Sequence, residues 1–228
     1  MLRGKNIKVP MIIFAADNHY DVHPGKNIYA GLKSNYKDMV FSEDDWSVFV
    51  KNDLKNKCDL LVLNMIAGTC NIEAPDQEAE KSVRAYCEKG GNILLIHGSS
   101  AAFWQWDWWR SIVGYRWVRG NDPDGVVPST HPTRPYKVTI SKSRHPLCAK
   151  LAEMDLPEDE IYINLEQVCP AMTIMETKTD EGTFPQSYEC VTPWGGKIIG
   201  FIPGHKPAVT GSEIYISNIK ALIDYLLS

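Results

Sequence analysis

Polar side chains that could do chemistry follow the apolar segments of this sequence at three separate places. Asp17 and His19 come directly after one such segment, His97 ends a second, and His205 follows a third. In open α/β sheets, ligands bind outside the carboxyl ends of the strands. A histidine there can ligate a metal or carry protons near neutral pH. We therefore expect His19, His97 and His205 to share one cavity, although His19 could equally be a solvated loop residue.

Several other residues are weaker candidates for a functional site. The turn 97–100 (HGSS) resembles a nucleophile elbow, but the G-x-S-x-G pattern is absent. Ser99 is therefore a candidate substrate contact or a hydrolase nucleophile, against the commoner role of capping a helix start. The remaining histidines, His23, His131 and His145, each precede a proline. That context favours a turn or helix start over a site.

An aromatic run and an acidic stretch offer further groups. On a helix, Trp104 and Trp108 would share one face. Such an aromatic surface is typical of the protein core or of a contact between subunits, so it is consistent with a homo-oligomer. Trp104 is also a candidate for lining a sugar pocket. The stretch 158–162 (EDEIY) is most simply a solvated start of an element. Near a histidine cluster, however, one carboxylate could act as a ligand or base.

Strand and helix patterns alternate in the first half of the chain. Short, continuous apolar runs at 8–16, 58–65 and 92–97 predict buried strands. Helices are predicted from Pro24 to about Tyr36 and over 74–89, where Gly90 and Gly91 follow. This rhythm predicts an α/β fold with a doubly wound, mostly parallel central sheet and helices on both faces.

The second half is less regular. Residues 118–134 form a long excursion rich in glycine, proline and aspartate, which is often functional. No linker or repeat divides the chain, so we expect one domain over 1–228. The remaining predicted elements are a strand near 46–50, strands near 135–140, 171–177, 187–192 and 197–202, and a closing helix over roughly 211–227.

Composition narrows the classes of partner. A formal net charge of -4 and a pI near 5.9 argue against nucleic acid as a partner. The six cysteines form no C-x-x-C pair, which favours free buried thiols over a disulfide framework. The first apolar run is too short to span a membrane, so the expected location is cytoplasmic without a membrane partner.

Several segments together resemble the ThuA-like (trehalose-utilisation) family. These segments are GGNILLIHGSSAAF, WWRSIVGYRW, RHPLCAKL, DEIY, PWGGKIIGF, the final PGH and, more loosely, NHYDVHP. The resemblance implies a class I glutamine amidotransferase-like, flavodoxin-like fold. It also implies a role in sugar metabolism, on trehalose, other glucosides or keto-sugar derivatives.

The resemblance further implies a set of pocket residues. His97 stands where true glutaminases place a catalytic cysteine, so glutaminase activity is not expected. Carried over by position, the pocket residues are His19, His97, Glu160, Tyr162 and His205. Our hypothesis for the chemistry is that His97 and His205 are catalytic acid/base groups or metal ligands, with Glu160 as the partner carboxylate. A divalent metal held by His19, His97 and His205 would be Zn²⁺, Mn²⁺ or Fe²⁺.

The candidate substrate contacts are Asp17, His19, Ser99, Trp104 and Tyr162. The leading hypothesis is thus an enzyme acting on a sugar or sugar derivative. The alternative is a non-catalytic sugar-binding or regulatory module, because one fold hosts many functions.

Overall fold

A nine-stranded sheet organises the computed structural model, which describes residues 9–64, 66–67, 72–120 and 125–228. Its strands lie in the order β2 (Met39–Glu43), β1 (Ile12–Ala16), β3 (Leu60–Asn64), β4 (Asn92–Ile96), β11 (Lys197–Phe201), β10 (Gly182–Val191), β9 (Ala171–Thr179), β6 (Thr133–Ile140) and β7 (Met154–Glu160). The first five strands in this order run parallel, and each later neighbour is antiparallel. The parallel part has the 2-1-3-4-5 order of flavodoxin-like folds. The predicted α/β class and doubly wound sheet are confirmed.

The parallel strands are short and, apart from β2, apolar. They are β1 (Ile12–Ala16), β2 (Met39–Glu43), β3 (Leu60–Asn64), β4 (Asn92–Ile96) and β11 (Lys197–Phe201). β1 and β3 are buried along their whole length, as expected of strands covered on both faces. The strand predicted near 46–50 is wrong. The second strand is β2, and the Asp45 side chain accepts a hydrogen bond from the Ser47 amide where the chain turns into a short helix.

The helices lie on both faces of the sheet. They are α1 (Pro24–Leu32), α2 (Val48–Lys51), α3 (Leu54–Lys57), α4 (Gln77–Glu88), α5 (Asp107–Arg110), α6 (Pro207–Thr210) and α7 (Glu213–Leu226). α1 and α7 pack on one face of the sheet, and α2, α3 and α4 pack on the other. Asp76 and Ser212 cap α4 and α7 through their side chains.

The antiparallel half extends the sheet through β6 (Thr133–Ile140), β7 (Met154–Glu160), β9 (Ala171–Thr179) and β10 (Gly182–Val191). The two-residue strands β5 (Tyr115–Arg116) and β8 (Glu166–Gln167) pair separately. β7 was not predicted. Four strand steps separate β7 from β11, yet the Asp159 carboxylate accepts hydrogen bonds from amides after β11. The antiparallel half therefore curls back over the parallel one, helped by bulges in β6 and β10.

The tryptophan run forms no continuous helix, which was the condition for Trp104 and Trp108 to share a face. Phe103 has a left-handed backbone with φ 53°, and the run becomes helical only in α5. Trp104 and Trp108 therefore lie on no common helical face. Trp108 instead donates to Glu80 on α4, while Trp109 is fully buried.

Two expectations drawn from composition, that the cysteines are free and that no segment spans a membrane, can be compared with the described residues. Each cysteine among them is free, and Cys58, Cys87 and Cys190 are buried as expected, whereas Cys70 lies outside the described residues. No described helix combines the length and the apolar character needed to cross a membrane.

Candidate functional site

His97 occupies a sharp turn between β4 and a 3₁₀ turn over His97–Ala101. Its backbone is left-handed, with φ 50°, a strained conformation that is enriched at functional sites. A Cβ on the next residue, Gly98, would lie 2.6 Å from the Ile66 side chain, so only glycine fits this close approach. The His97 side chain is buried, and its Nδ1 lies 2.9 Å from the Ile202 carbonyl oxygen. Nδ1 therefore carries a proton, and Nε2 is the nitrogen that faces the site.

His19 lies in a strained loop after β1. The backbones of His19, Tyr20 and Asp21 are all left-handed, with φ between 49° and 65°. Asp17 holds the base of this loop, because its Oδ2 accepts hydrogen bonds from the amides of Ile66 and Ala67. Its other carboxylate oxygen lies 3.9 Å from His19 Nδ1. Asp17 is therefore buried beneath His19, where it holds the backbone of residues 66–67, and it does not line the cavity.

His205 is placed by a buried carboxylate from the far half of the sheet. Asp159 accepts hydrogen bonds from the amides of Gly204, His205 and Lys206 at 2.7, 3.0 and 2.9 Å. Gly204 has φ 121°, and a Cβ there would lie 2.1 Å from the Tyr215 hydroxyl oxygen. Sequence reasoning did not identify Asp159, because a fully buried aspartate within an acidic stretch has no local signature.

The three histidines meet at the carboxyl edge of the parallel strands. Their ligand nitrogens all lie within 4.8 Å of one another, and His19 Nε2 lies 3.0 Å from His205 Nδ1. Two nitrogens bound tetrahedrally to one Zn²⁺ at about 2.0–2.1 Å are roughly 3.3–3.4 Å apart, so these side chains would need only small shifts to bind one ion. His97 also shows the pattern usual for a ligating histidine, which donates its other N–H to a carbonyl. The donor set therefore fits a divalent metal.

Glu160, at the end of β7, joins this cluster. Its Oε2 lies 3.5 Å from His97 Nε2 and 3.6 Å from His205 Nδ1, and its Oε1 lies 3.1 Å from His131 Nδ1. Tyr162 adds its hydroxyl 3.4 Å from His97 Nε2. Burial alone would raise the pKa of Glu160, but the neighbouring histidines lower it to about 2. The carboxylate therefore stays ionised at neutral pH.

The histidines differ in how readily they protonate. Burial, with the charges of the other two histidines, lowers the pKa of His19 from 6.5 to about 3. Burial and His97 also lower the pKa of His205. Burial would lower the pKa of His97 as well, but Glu160 and Asp159 together raise it. His19 and His205 are therefore neutral near pH 7, which is the state that binds metals, whereas the charged form of His97 is favoured and would release its Nε2 proton on binding a metal.

A cavity of about 450 Å³ opens beside the cluster. A larger surface depression of about 610 Å³ lies around Trp46 and Glu73, but no histidine lines it. The smaller cavity is therefore the candidate site. The described residues that line it are His19, Tyr20, Ile66, Ala101, Trp117, Arg119, His131, Glu160, Tyr162 and His205.

Some of the predicted residues lie away from the cavity surface. His97 is buried directly behind it, with its ring centroid 5.2 Å from that of His19. Ser99 is fully buried, and its hydroxyl oxygen lies 2.8 Å from the Leu63 carbonyl oxygen and 2.9 Å from that of Ile96, so the side chain is not accessible to a substrate. Trp104 is not among the lining residues but stacks against one of them, Arg119.

His131 is the main residue lining the cavity that was not predicted from the sequence to belong to the site. Its His-Pro context favoured a turn, but Thr133 pairs with Glu160 across the antiparallel strands β6 and β7. That register brings His131 to the Glu160 side chain. The available signal was its position within the excursion 118–134, which also supplies the lining residue Arg119. Residues 121–124 of that excursion lie outside the described residues.

Solved structures show which proteins share this fold. A protein described as ThuA-like from Parabacteroides merdae ATCC 43184 superposes with a TM-score of 0.75 at 17% identity, covering 96% of this chain and 90% of that chain. A second such protein, from Bacteroides uniformis ATCC 8492, gives 0.69 at 14% identity, covering 97% of this chain and 93% of that chain.

A third match links the fold to amidotransferases. The PurLQS structure from Thermotoga maritima gives a TM-score of 0.57 at 11% identity, covering 96% of this chain and 100% of that chain. These neighbours have the class I glutamine amidotransferase-like fold that was expected. A search of curated protein sequences finds no significant match. The family model described as "Trehalose utilisation" matches residues 11–221, and the chain therefore belongs to the ThuA family.

Proposed function

We propose that this protein is an enzyme that acts on a sugar or keto-sugar derivative with the help of a divalent metal. The observation that carries this proposal is the convergence of His19, His97 and His205, whose ligand nitrogens lie within 4.8 Å of one another beside a cavity. The trehalose-utilisation description of the family supports a carbohydrate as the substrate.

The metal would be Zn²⁺, Mn²⁺ or Fe²⁺, since imidazole nitrogens suit all three. His19 Nε2, His97 Nε2 and His205 Nδ1 would bind it, and the Glu160 carboxylate lies beside these nitrogens without being one of the ligands. Such an ion would supply Lewis acidity toward a carbonyl or hydroxyl oxygen of the substrate.

The protein's own groups would handle the proton. Glu160 is ionised at neutral pH, so it accepts a proton from the substrate rather than donating one. His131 touches the same carboxylate and is 54% exposed, so it can exchange that proton with solvent. This transfer of a proton from the substrate to Glu160, and on to the solvent through His131, needs no nucleophilic side chain.

The cavity suits a small carbohydrate. Its volume of about 450 Å³ falls within the roughly 300–1,000 Å³ typical of small-molecule sites. The rings of Trp117 and Tyr162, 4.9 Å apart between centroids, supply the aromatic surface against which the apolar face of a sugar ring packs.

The test compares chelator-treated protein with protein reloaded with each metal. Trehalose, glucose and glucosides oxidised to ring ketones would be incubated with each form, and their consumption followed by NMR. We expect conversion of at least one compound by a metal-loaded form. Glu160→Gln should retain the metal but lower turnover by roughly 10²–10⁴-fold, whereas His23→Ala, a histidine outside the cluster, should be unaffected. Binding without conversion by every metal form would favour the non-catalytic alternative.

A further inference from the structure

Arg119 brings a positive charge into the candidate cavity. It lines the same cavity as Tyr162 and His205, on the excursion after β5. Among the described lining residues it is the one lysine or arginine, beside three histidines and the carboxylate of Glu160. That carboxylate already contacts His131, His97 and His205. With a divalent cation bound, the described lining residues would therefore carry a net positive charge.

Trp104 fixes the Arg119 side chain. The guanidinium carbon of Arg119 lies 3.9 Å from the centroid of the Trp104 ring. Arg110 contacts the same ring at the same distance but does not line the cavity. Stacking on an aromatic face orients the planar guanidinium before a ligand arrives, which a flexible lysine would not achieve. An arginine held in this way presents paired N–H donors that match the oxygens of a carboxylate or phosphate.

We propose that the cavity takes an anionic sugar derivative, and that Arg119 binds its carboxylate or phosphate group. The proposal rests on the sugar site proposed above and specifies its substrate class. Trp104, which was expected to touch the sugar, is a positioning residue that acts through Arg119.

The experiment measures the binding of three probes by calorimetry: D-glucose, D-glucuronate and D-glucose 6-phosphate. The full-length protein is used in metal-loaded and chelator-treated forms. The variants are Arg119→Gln, Trp104→Leu and Trp104→Phe, and Arg110→Gln is the matched control because it stacks on the same tryptophan outside the cavity. Metal content is measured for every sample, so that loss of the metal site and loss of the anion site are distinguishable.

We expect at least one anionic probe to bind roughly tenfold or more tightly than glucose. A preference for glucuronate assigns the group to a carboxylate, and a preference for the phosphate ester assigns it to a phosphate. Arg119→Gln and Trp104→Leu should remove the preference at unchanged metal content, while Trp104→Phe and Arg110→Gln should keep it. Equal affinity for neutral and anionic probes, no binding of either anion, or a preference that survives Arg119→Gln would overturn the proposal.

Discussion

At the residue scale, His97 and His205 belong to one cluster but are held differently. His97 is buried and its Nδ1 bonds the Ile202 carbonyl, whereas His205 stands nearer the solvent and is held through its backbone. A histidine whose side chain makes a buried hydrogen bond, as that of His97 does, contributes to the stability of the fold as well as to the site. A histidine positioned through its backbone, as His205 is, contributes mainly to the site.

This difference predicts unequal stability effects. His97→Ala leaves the buried Ile202 carbonyl without its donor, so it should lower the free energy of unfolding by about 1–3 kcal/mol. His205→Ala should cost less, because its backbone contacts with Asp159 remain. Urea unfolding of the metal-free variants, with His23→Ala as the control, measures both. Equal losses for the two variants would show that His97 has no such structural role.

The depressed pKa of His19 predicts a pH dependence of stability in the metal-free protein. Its pKa falls from 6.5 to about 3 on folding because of burial and the neighbouring histidines. Between these values the unfolded chain binds more protons than the folded one, so His19 lowers the stability as pH falls through this window.

The measurement is the difference in urea midpoint between the wild type and His19→Ala from pH 7 to pH 4. The wild type should lose stability relative to the variant as the pH falls below 6.5. A difference that stays constant with pH would mean that His19 keeps its ordinary pKa in the folded state.

At the element scale, the loop after β11 depends on one glycine. Gly204→Ala forces a Cβ against the Tyr215 hydroxyl at 2.1 Å and also strains a backbone with φ 121°. Gly195→Ala is the matched control, since it has φ 87° but nothing within 4 Å of the new Cβ. We expect Gly204→Ala to be the more destabilising by about 1–3 kcal/mol, and to weaken metal binding through His205. Thermal melts and metal titrations of the two variants test this, and equal losses would contradict it.

The sequence predicted the elements whose signals are local. The apolar runs identified β1, β3, β4 and β11 and hence three histidines at strand ends. β7 escaped prediction because its sequence, MDLPEDE, is acidic and contains a proline, which suits an edge strand but resembles a loop. His131 reaches Glu160 only through the pairing of β6 with β7, and such long-range register is not visible in the residues around it.

At the scale of the whole molecule, the site lies where the two halves of the sheet meet. The parallel half supplies His19, His97 and His205, and the curled antiparallel half supplies Glu160 together with Asp159, which anchors the loop after β11. The fold is amidotransferase-like, and His97 begins the turn after β4, where the resemblance places the catalytic cysteine of a glutaminase.

This substitution predicts that the protein does not hydrolyse glutamine. Glutaminases of this fold attack the amide with a thiol, and the turn at 96–100 contains none. Incubation with glutamine and an enzymatic assay for ammonia should give the rate of a buffer blank. Release of ammonia above that blank would contradict the prediction.

The central claim is that His19, His97 and His205 bind one divalent metal together, and calorimetric titration of the metal-free protein tests it most directly. Zn²⁺, Mn²⁺ and Fe²⁺ would each be titrated into the wild type, His19→Ala, His205→Ala and the control His23→Ala. The account predicts one equivalent per chain for at least one metal in the wild type and in His23→Ala. Affinity should fall more than roughly 100-fold in the other two variants, because a ligand is lost. A wild type that binds none of the three metals, or variants that bind as the wild type does, would contradict it.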